Sequence, residues 1–152
     1  MPKTPKIYLL ILLAAFATGI LAGCNGKTGD ANASDFPMAS TDGMPAEIQA
    51  APPVVLESYQ FAAANPEILS KLPCYCGCGN MGHTSNYACY VKTVSADGVI
   101  AYDDHALGCS ICVDITQDAM RMLKEDKPLS EIRVFVDETY SQYGPSNMPP
   151  GE

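Results

Sequence analysis

The sequence predicts a mainly α fold: one small single domain of about four helices, with a Cys-rich loop and a short β-hairpin. Three observations carry this expectation. Apolar residues recur at three- and four-residue spacing through most of 53–143. Asparagine and proline stand where helices should start, at Asn65-Pro66 and Pro128. Strand-friendly residues flank Asp97-Gly98, a hairpin turn signal.

The first helix is expected from Pro53, where Val55, Leu56, Tyr59, Ala62 and Ala63 share a face. Asn65 caps and Pro66 opens a second, short helix to about Leu72, with Ile68, Leu69 and Leu72 inward. Pro73 ends it and launches "PCYCGCG", which leads into a glycine-rich, polar and hence irregular stretch to Asn86. Tyr90, Val91 and Val94 on one side of the turn, and Val99, Ile100 and Tyr102 on the other, form the hairpin. The longest helix runs from near Gly108 to near Glu125. Cys109, Cys112, Thr116, Ala119 and Leu123 form its stripe, thickened by Ile115, Met120 and Met122. Pro128 opens the last helix, with Leu129, Ile132, Phe135, Val136, Tyr140 and Tyr143 inward.

Outside 53–143 the composition changes. Residues 1–23 read as a signal peptide: Lys3 and Lys6 precede an uncharged run of 15 residues, Ile7 to Leu21. A membrane span needs about 20 apolar residues, so this run suits a signal-peptide core better. Leu21-Ala22-Gly23-Cys24 resembles a bacterial lipobox, which implies lipidation of Cys24 and anchoring to the bacterial cell membrane through its acyl chains. Residues 24–52 read as the lipidated cysteine and a flexible tether rich in Gly, Ala, Ser, Asp and Pro, with Met38 and Met44 as filler. Residues 144–152 read as a disordered tail.

The net charge is −8. Loss of Lys3 and Lys6 with the signal peptide leaves seven bases against 17 acids, a net charge of −10. Such a chain should avoid nucleic acid and anionic headgroups, and no basic patch is present to grip phosphate. No Ser/His/Asp order, phosphate-binding loop or paired glutamates stand out, so the expectation is a binding protein and not an enzyme.

The chemistry sits in the cysteines. Export would place them in an oxidising compartment. Six remain after Cys24, and six allow 15 full pairings that sequence alone does not rank. In an extended segment Cys74, Cys76 and Cys78 point to one side. Cysteines separated by one residue close strained rings, so these three pair with distant cysteines or converge on a soft metal. His105, Cys109 and Cys112 follow at spacings of four and three, with Cys109 in the first turn of the long helix, where the dipole favours a thiolate. His83 and His105, the two histidines of the chain, both lie beside thiols and are candidate ligands. Asp103 or Asp104 could orient the His105 imidazole, or cap the coming helix. Cys89 stands alone, as a disulfide partner or a buried small hydrophobe. A domain of about 95 residues is marginal, so disulfides or a metal would also serve stability.

"LPCYCGCG", Gly82-His83, Cys89 and "DDHALGCSIC" together resemble the bacterial PCYCGC-motif lipoproteins, over roughly Leu72 to Tyr140. The resemblance implies an exported, membrane-tethered protein that handles copper and could deliver it to a copper-accepting oxidase subunit, at the CuA centre of cytochrome c oxidase. The shared positions are Cys74, Cys76, Cys78, His83, Cys89, His105, Cys109 and Cys112. Copper, as Cu(I), is the favoured metal, with zinc as the other candidate. Two further readings stay open: a surface binding module stabilised by disulfides or zinc, and a thiol–disulfide oxidoreductase working through Cys109 and Cys112.

Overall fold

A computed structural model describes residues 36–149 of the protein, all within one compact unit. The expected signal peptide, the lipobox with Cys24 and the first part of the tether lie outside the described residues. Five α-helices are present: α1 (Ala46–Gln49), α2 (Pro53–Ala64), α3 (Pro66–Leu69), α4 (Ser110–Lys124) and α5 (Leu129–Tyr140). Three 3₁₀ turns, Cys78–Met81, Tyr87–Cys89 and His105–Leu107, punctuate the loops. The strands β1 (Val91–Val94) and β2 (Ile100–Tyr102) pair antiparallel. The class is as expected, with one more helix than the four anticipated, because α1 forms inside the supposed tether.

Helices α2, α4 and α5 make the core. Tyr59 and Phe61 of α2, Ile115, Ala119 and Met120 of α4, and Ile132 and Val136 of α5 are all buried. The α4 stripe appears as its spacing requires. Arg121 and Lys124 sit in its last turn, where they complement the helix dipole. Asp126 then takes a left-handed φ of 58°, and the Lys127 amide donates to Met122 O at 3.0 Å, which closes the helix end. In α5, Tyr143 lies beyond the helix end and is exposed, not inward. α3 stops at Leu69, earlier than expected, yet Leu72 is still fully buried.

The hairpin turns where Asp97-Gly98 predicts. Gly98 has φ +84°, and Ser95 and Val99 are joined by a 2.9 Å backbone hydrogen bond. Its outer residues Val94 and Val99 are exposed. Its base matters more: the Asp103 amide donates to Tyr90 O at 2.8 Å, which brings Asp103 and His105 beside the cysteine loop.

Both ends of the packed region reach further than the sequence suggests. Residues 36–39 lie along α2, with the Ala39 amide donating to Gln60 O (3.0 Å) and Gln60 Nε2 donating back to Ala39 O (2.9 Å). Phe36 packs edge-on to Phe61, and Met44 and Ile48 are buried in the core. Asn65, expected to cap α3, makes no side-chain cap. Its amide instead donates to Pro37 O and Phe61 O, both at 2.8 Å. The expected start at Pro53 is therefore corrected: the segment is irregular, so single residues pack without a period to reveal them. At the other end, residues 144–149 are not a free tail. They lie against the cysteine loop, as described below. No helix among the described residues is long and apolar enough to cross a membrane.

Ile48→Ala should lower the unfolding free energy by about 2–5 kcal/mol, as for a core aliphatic residue. Urea denaturation measures this, and a change below about 0.5 kcal/mol would return Ile48 to a surface tether.

Candidate metal centre

The chain leaves α3 through turns at Ser70 to Leu72, and the cysteine loop that follows folds sharply back. Gly77 takes φ +83°, a conformation open to glycine at little cost, and Cys78 opens a 3₁₀ turn. The turn rolls the Cys78 sulfur into the same cluster as those of Cys74 and Cys76, within 4.8 Å of both. The convergence expected from an extended strand is thus reached by a turn.

All six described cysteines are unpaired. Cys74 Sγ lies 3.2 Å from Cys112 Sγ and 3.4 Å from Cys76 Sγ. Cys76 Sγ is 3.6 Å from Cys112 Sγ, and Cys112 is 3.4 Å from Cys109. Cys89 is neither isolated nor merely hydrophobic: its sulfur is 3.7 Å from that of Cys78. A disulfide requires about 2.05 Å. Two sulfurs each bonded at about 2.3 Å to one tetrahedral ion stand about 3.8 Å apart, close to the longer of these separations. The two clusters seen in the sequence are therefore one cluster in space.

Both histidines join it. His105 Nε2 is 3.4 Å from Cys76 Sγ, and the two imidazole rings meet edge to face at 5.1 Å. His83 Nε2 is 3.5 Å from Asp103 Oδ2, while its Nδ1 is buried and has no hydrogen-bond partner among the described residues. Asp103 does not orient the His105 imidazole as anticipated, and neither acid makes a side-chain cap. Asp103 faces the ring of His83 and not that of His105, and its Oδ1 accepts the His105 backbone amide at 2.8 Å. Four sets of donors could hold a metal ion: Cys76, His105, Cys109 and Cys112; Cys78, His83, Cys89 and His105; Cys74, Cys76 and Cys78; and Cys74, Cys89 and Cys112. All eight candidate ligands of the sequence fall in at least one set.

A polar network fixes the cluster from below. Cys109 is the N-cap of α4, not part of its first turn, and Cys112 is the third helical residue. The Cys112 carbonyl accepts from Asn86 Nδ2 (3.1 Å) and Tyr90 OH (2.9 Å). Thr116 Oγ1 donates to Asn86 Oδ1 at 2.8 Å and sits 2.7 Å from Tyr90 OH. Tyr59 OH donates to Asp103 O at 2.7 Å. From the side, Asn147 holds the loop like a strap. Its Oδ1 accepts the Cys74 amide (2.7 Å), its own amide donates to Cys74 O (3.1 Å), and its Nδ2 donates to Cys78 Sγ (3.4 Å) and Ser85 O (3.1 Å). Gly144 passes so close that a Cβ there would stand 2.8 Å from Tyr75 O.

The sequence signals none of these supports. Asn147 is one polar residue in a Pro- and Gly-rich stretch, and Asn86 lies in an irregular loop. Tyr90 and Thr116 resemble ordinary strand and helix residues.

The protons in the cluster are unevenly held. The Cys76 thiol is pushed well below its ordinary value, first by its contact with Cys112 and then by the hydrogen bond from Cys74. Cys112 is pushed far above, first by its hydrogen bond to Cys74. Cys78 is pushed down as well, to about 3, first by Cys112 and then by Cys74. Thiols held this unevenly offer positions where a cation can replace protons. Cys76, His105 and Cys109 are only partly buried, whereas Cys74, Cys78 and Cys89 are inside. Beside Cys109 lies a groove of about 340 Å³, lined by Val54, Val55, Leu107 and Val113 among others.

The family described as "Protein of unknown function with PCYCGC motif" matches the chain over residues 13–150. No curated protein and no solved structure matches it.

Asn147→Ala should speed hydrogen exchange at the Cys74 amide and cost about 1–3 kcal/mol, since it leaves buried loop groups unpaired. Exchange measured by mass spectrometry and a chemical melt test this. An unchanged Cys74 amide would remove the strap.

Proposed function

The chain belongs to the PCYCGC-motif family, and from the thiol cluster that this motif opens we propose an exported, membrane-tethered metal-binding protein. More specifically, it is a copper carrier that takes Cu(I) and assists assembly of a copper site such as the CuA centre of cytochrome c oxidase. The observation that supports this reading is the convergence of six unpaired thiols and two imidazoles in one cluster. Cu(I) prefers soft sulfur donors, with imidazole next. The partly exposed Cys76 and Cys109 give a recipient's ligands somewhere to attack, so an ion can be passed on one bond at a time. The protein acts by holding and releasing an ion and turns over no substrate. The lipobox-like Leu21-Ala22-Gly23-Cys24 supports anchoring outside the cytoplasm by lipid on Cys24. The oxidase as acceptor comes from the family resemblance.

A second reading rests on donor composition. Cys76, His105, Cys109 and Cys112 form a Cys3His set, the composition of closed structural zinc sites. Under that reading the protein is a metal-stapled surface module.

One titration separates these. The reduced full-length chain in detergent, kept anaerobic, should withdraw Cu(I) from a competing chelator. Serine at Cys74, Cys76 and Cys78 together should abolish the uptake, and undiminished uptake by that triple variant would sink the assignment of the loop. A zinc-loaded chain that holds its zinc against excess Cu(I) would favour the second reading.

A further inference from the structure

Eight donors converge in the cluster, six sulfurs and two imidazoles, while one thiolate-bound ion takes two to four. A single ion would leave at least half of them idle in a largely buried site.

The overlap between the sets divides them. His105 belongs to both four-donor sets, yet a neutral imidazole has one nitrogen lone pair to give. Its Nε2 stands 3.4 Å from Cys76 Sγ, which places it with Cys76, Cys109 and Cys112. Cys78, Cys89 and His83 then remain on the other side. The buried Cys74 sulfur borders both groups: it is 3.2 Å from Cys112 and 3.4 Å from Cys76, and within 4.8 Å of Cys78 and of Cys89. With Cys76, Cys109 and Cys112 already joined to His105, we assign it to the other side. Two Cys3His sets result, with no donor left over.

His83 supplies an independent observation. Its Nδ1 is buried without a partner among the described residues, and Asp103 faces the opposite nitrogen at 3.5 Å. A carboxylate on one side of an imidazole and an unfilled position on the other is the arrangement of a metal-ligating histidine.

The two sets differ in access. Cys74 and Cys89 have no exposed surface and Cys78 has 2 %. Their companion His83 is mostly buried, its side chain 11 % exposed. In the other set Cys76, His105 and Cys109 are partly exposed above a buried Cys112, and Cys109 edges the groove beside α4.

The geometry points to a two-ion centre with unlike halves. An inner compartment of Cys74, Cys78, His83 and Cys89 keeps its ion as part of the folded core. An outer compartment of Cys76, His105, Cys109 and Cys112 exchanges its ion with the surroundings. This rests on the metal-binding reading above but not on the identity of the metal. The inner ion is a staple and the outer one is cargo.

The test uses the reduced full-length chain in detergent, loaded anaerobically with Zn(II) alone or Cu(I) alone. Native mass spectrometry counts the ions, and a chelator challenge times their release. Two ions per chain are expected, one leaving at least tenfold faster than the other. Cys109→Ser should remove or further speed the fast ion and leave the slow one. His83→Ala should speed release of the slow ion and lower the thermal midpoint. One ion per chain at saturation, or two ions lost in a single phase, would overturn the inference. So would a Cys109→Ser chain that loses both ions alike. Should His83→Ala fail to fold, the count in the parent chain and the Cys109→Ser result still decide. A chain that takes up neither metal overturns this inference and the metal-binding reading together. Two zinc ions with no Cu(I) uptake overturn only the copper carrier.

Discussion

The hydrogen bonds that Asn86 and Tyr90 donate to the Cys112 carbonyl hold the rest of the site in place. They tie the loop after the cysteine motif to the first turn of α4. Tyr90 also receives the Asp103 amide through its carbonyl, so the hairpin base is bound to the same point. Tyr59 packs edge-on against Tyr90 at 5.0 Å and donates to Asp103 O, which brings in α2. Four chain segments thus meet at one buried, well-satisfied polar network. In a low-dielectric interior such a network is rigid when complete and costly when broken. The cysteines are mounted on it: Cys112 directly, Cys109 one turn earlier, Cys89 next to Tyr90, and His105 just past Asp103.

Rigidity matters because the cluster resists its own assembly. Six thiols cannot all ionise side by side, since each new charge opposes the next. The separations of 3.2 to 3.7 Å are tolerable as long as protons or cations stand between the sulfurs. Cys76 and Cys78 are pushed down and Cys112 is pushed up, so protons alone would share the burden unevenly across the cluster. A metal ion does the same work with more charge and stronger bonds. The α4 N-terminus adds its positive end to the Cys109 and Cys112 side.

Much of this was legible in the sequence, and the parts that were not share a cause. The stripes of α2, α4 and α5 and the Asp97-Gly98 turn repeat or punctuate, so local rules find them. All eight ligand candidates are conspicuous because the cysteines cluster and the two histidines lie beside them. What escaped was whatever rests on one residue making one distant contact. Phe36, Met44 and Ile48 anchor an aperiodic segment, and Asn147 straps a loop 73 residues upstream. Asp103 was seen as a candidate partner for a histidine. Its actual partner, His83, lies across the loop, because the hairpin and not sequence proximity sets the approach. The merging of the two cysteine clusters into one also needed the fold, since spacing cannot say that Cys74 meets Cys112.

These long-range anchors bear on why the cysteines are there. A domain beginning at Pro53 and ending at Tyr143 would be small enough to gain from a staple. The observed unit is larger: it adds the buried Met44 and Ile48 at one end and the Asn147 strap at the other. Its core of aromatic and aliphatic side chains from α2, α4 and α5 forms without any sulfur bond. One buried ion would still add stability where the core meets the loop. A single staple does not call for six thiols and two imidazoles, nor for keeping four of those donors, Cys76, His83, His105 and Cys109, within reach of solvent. Cys74, Cys78, Cys89 and Cys112 sit as parts of the fold, whereas Cys76, His105 and Cys109 sit at its edge.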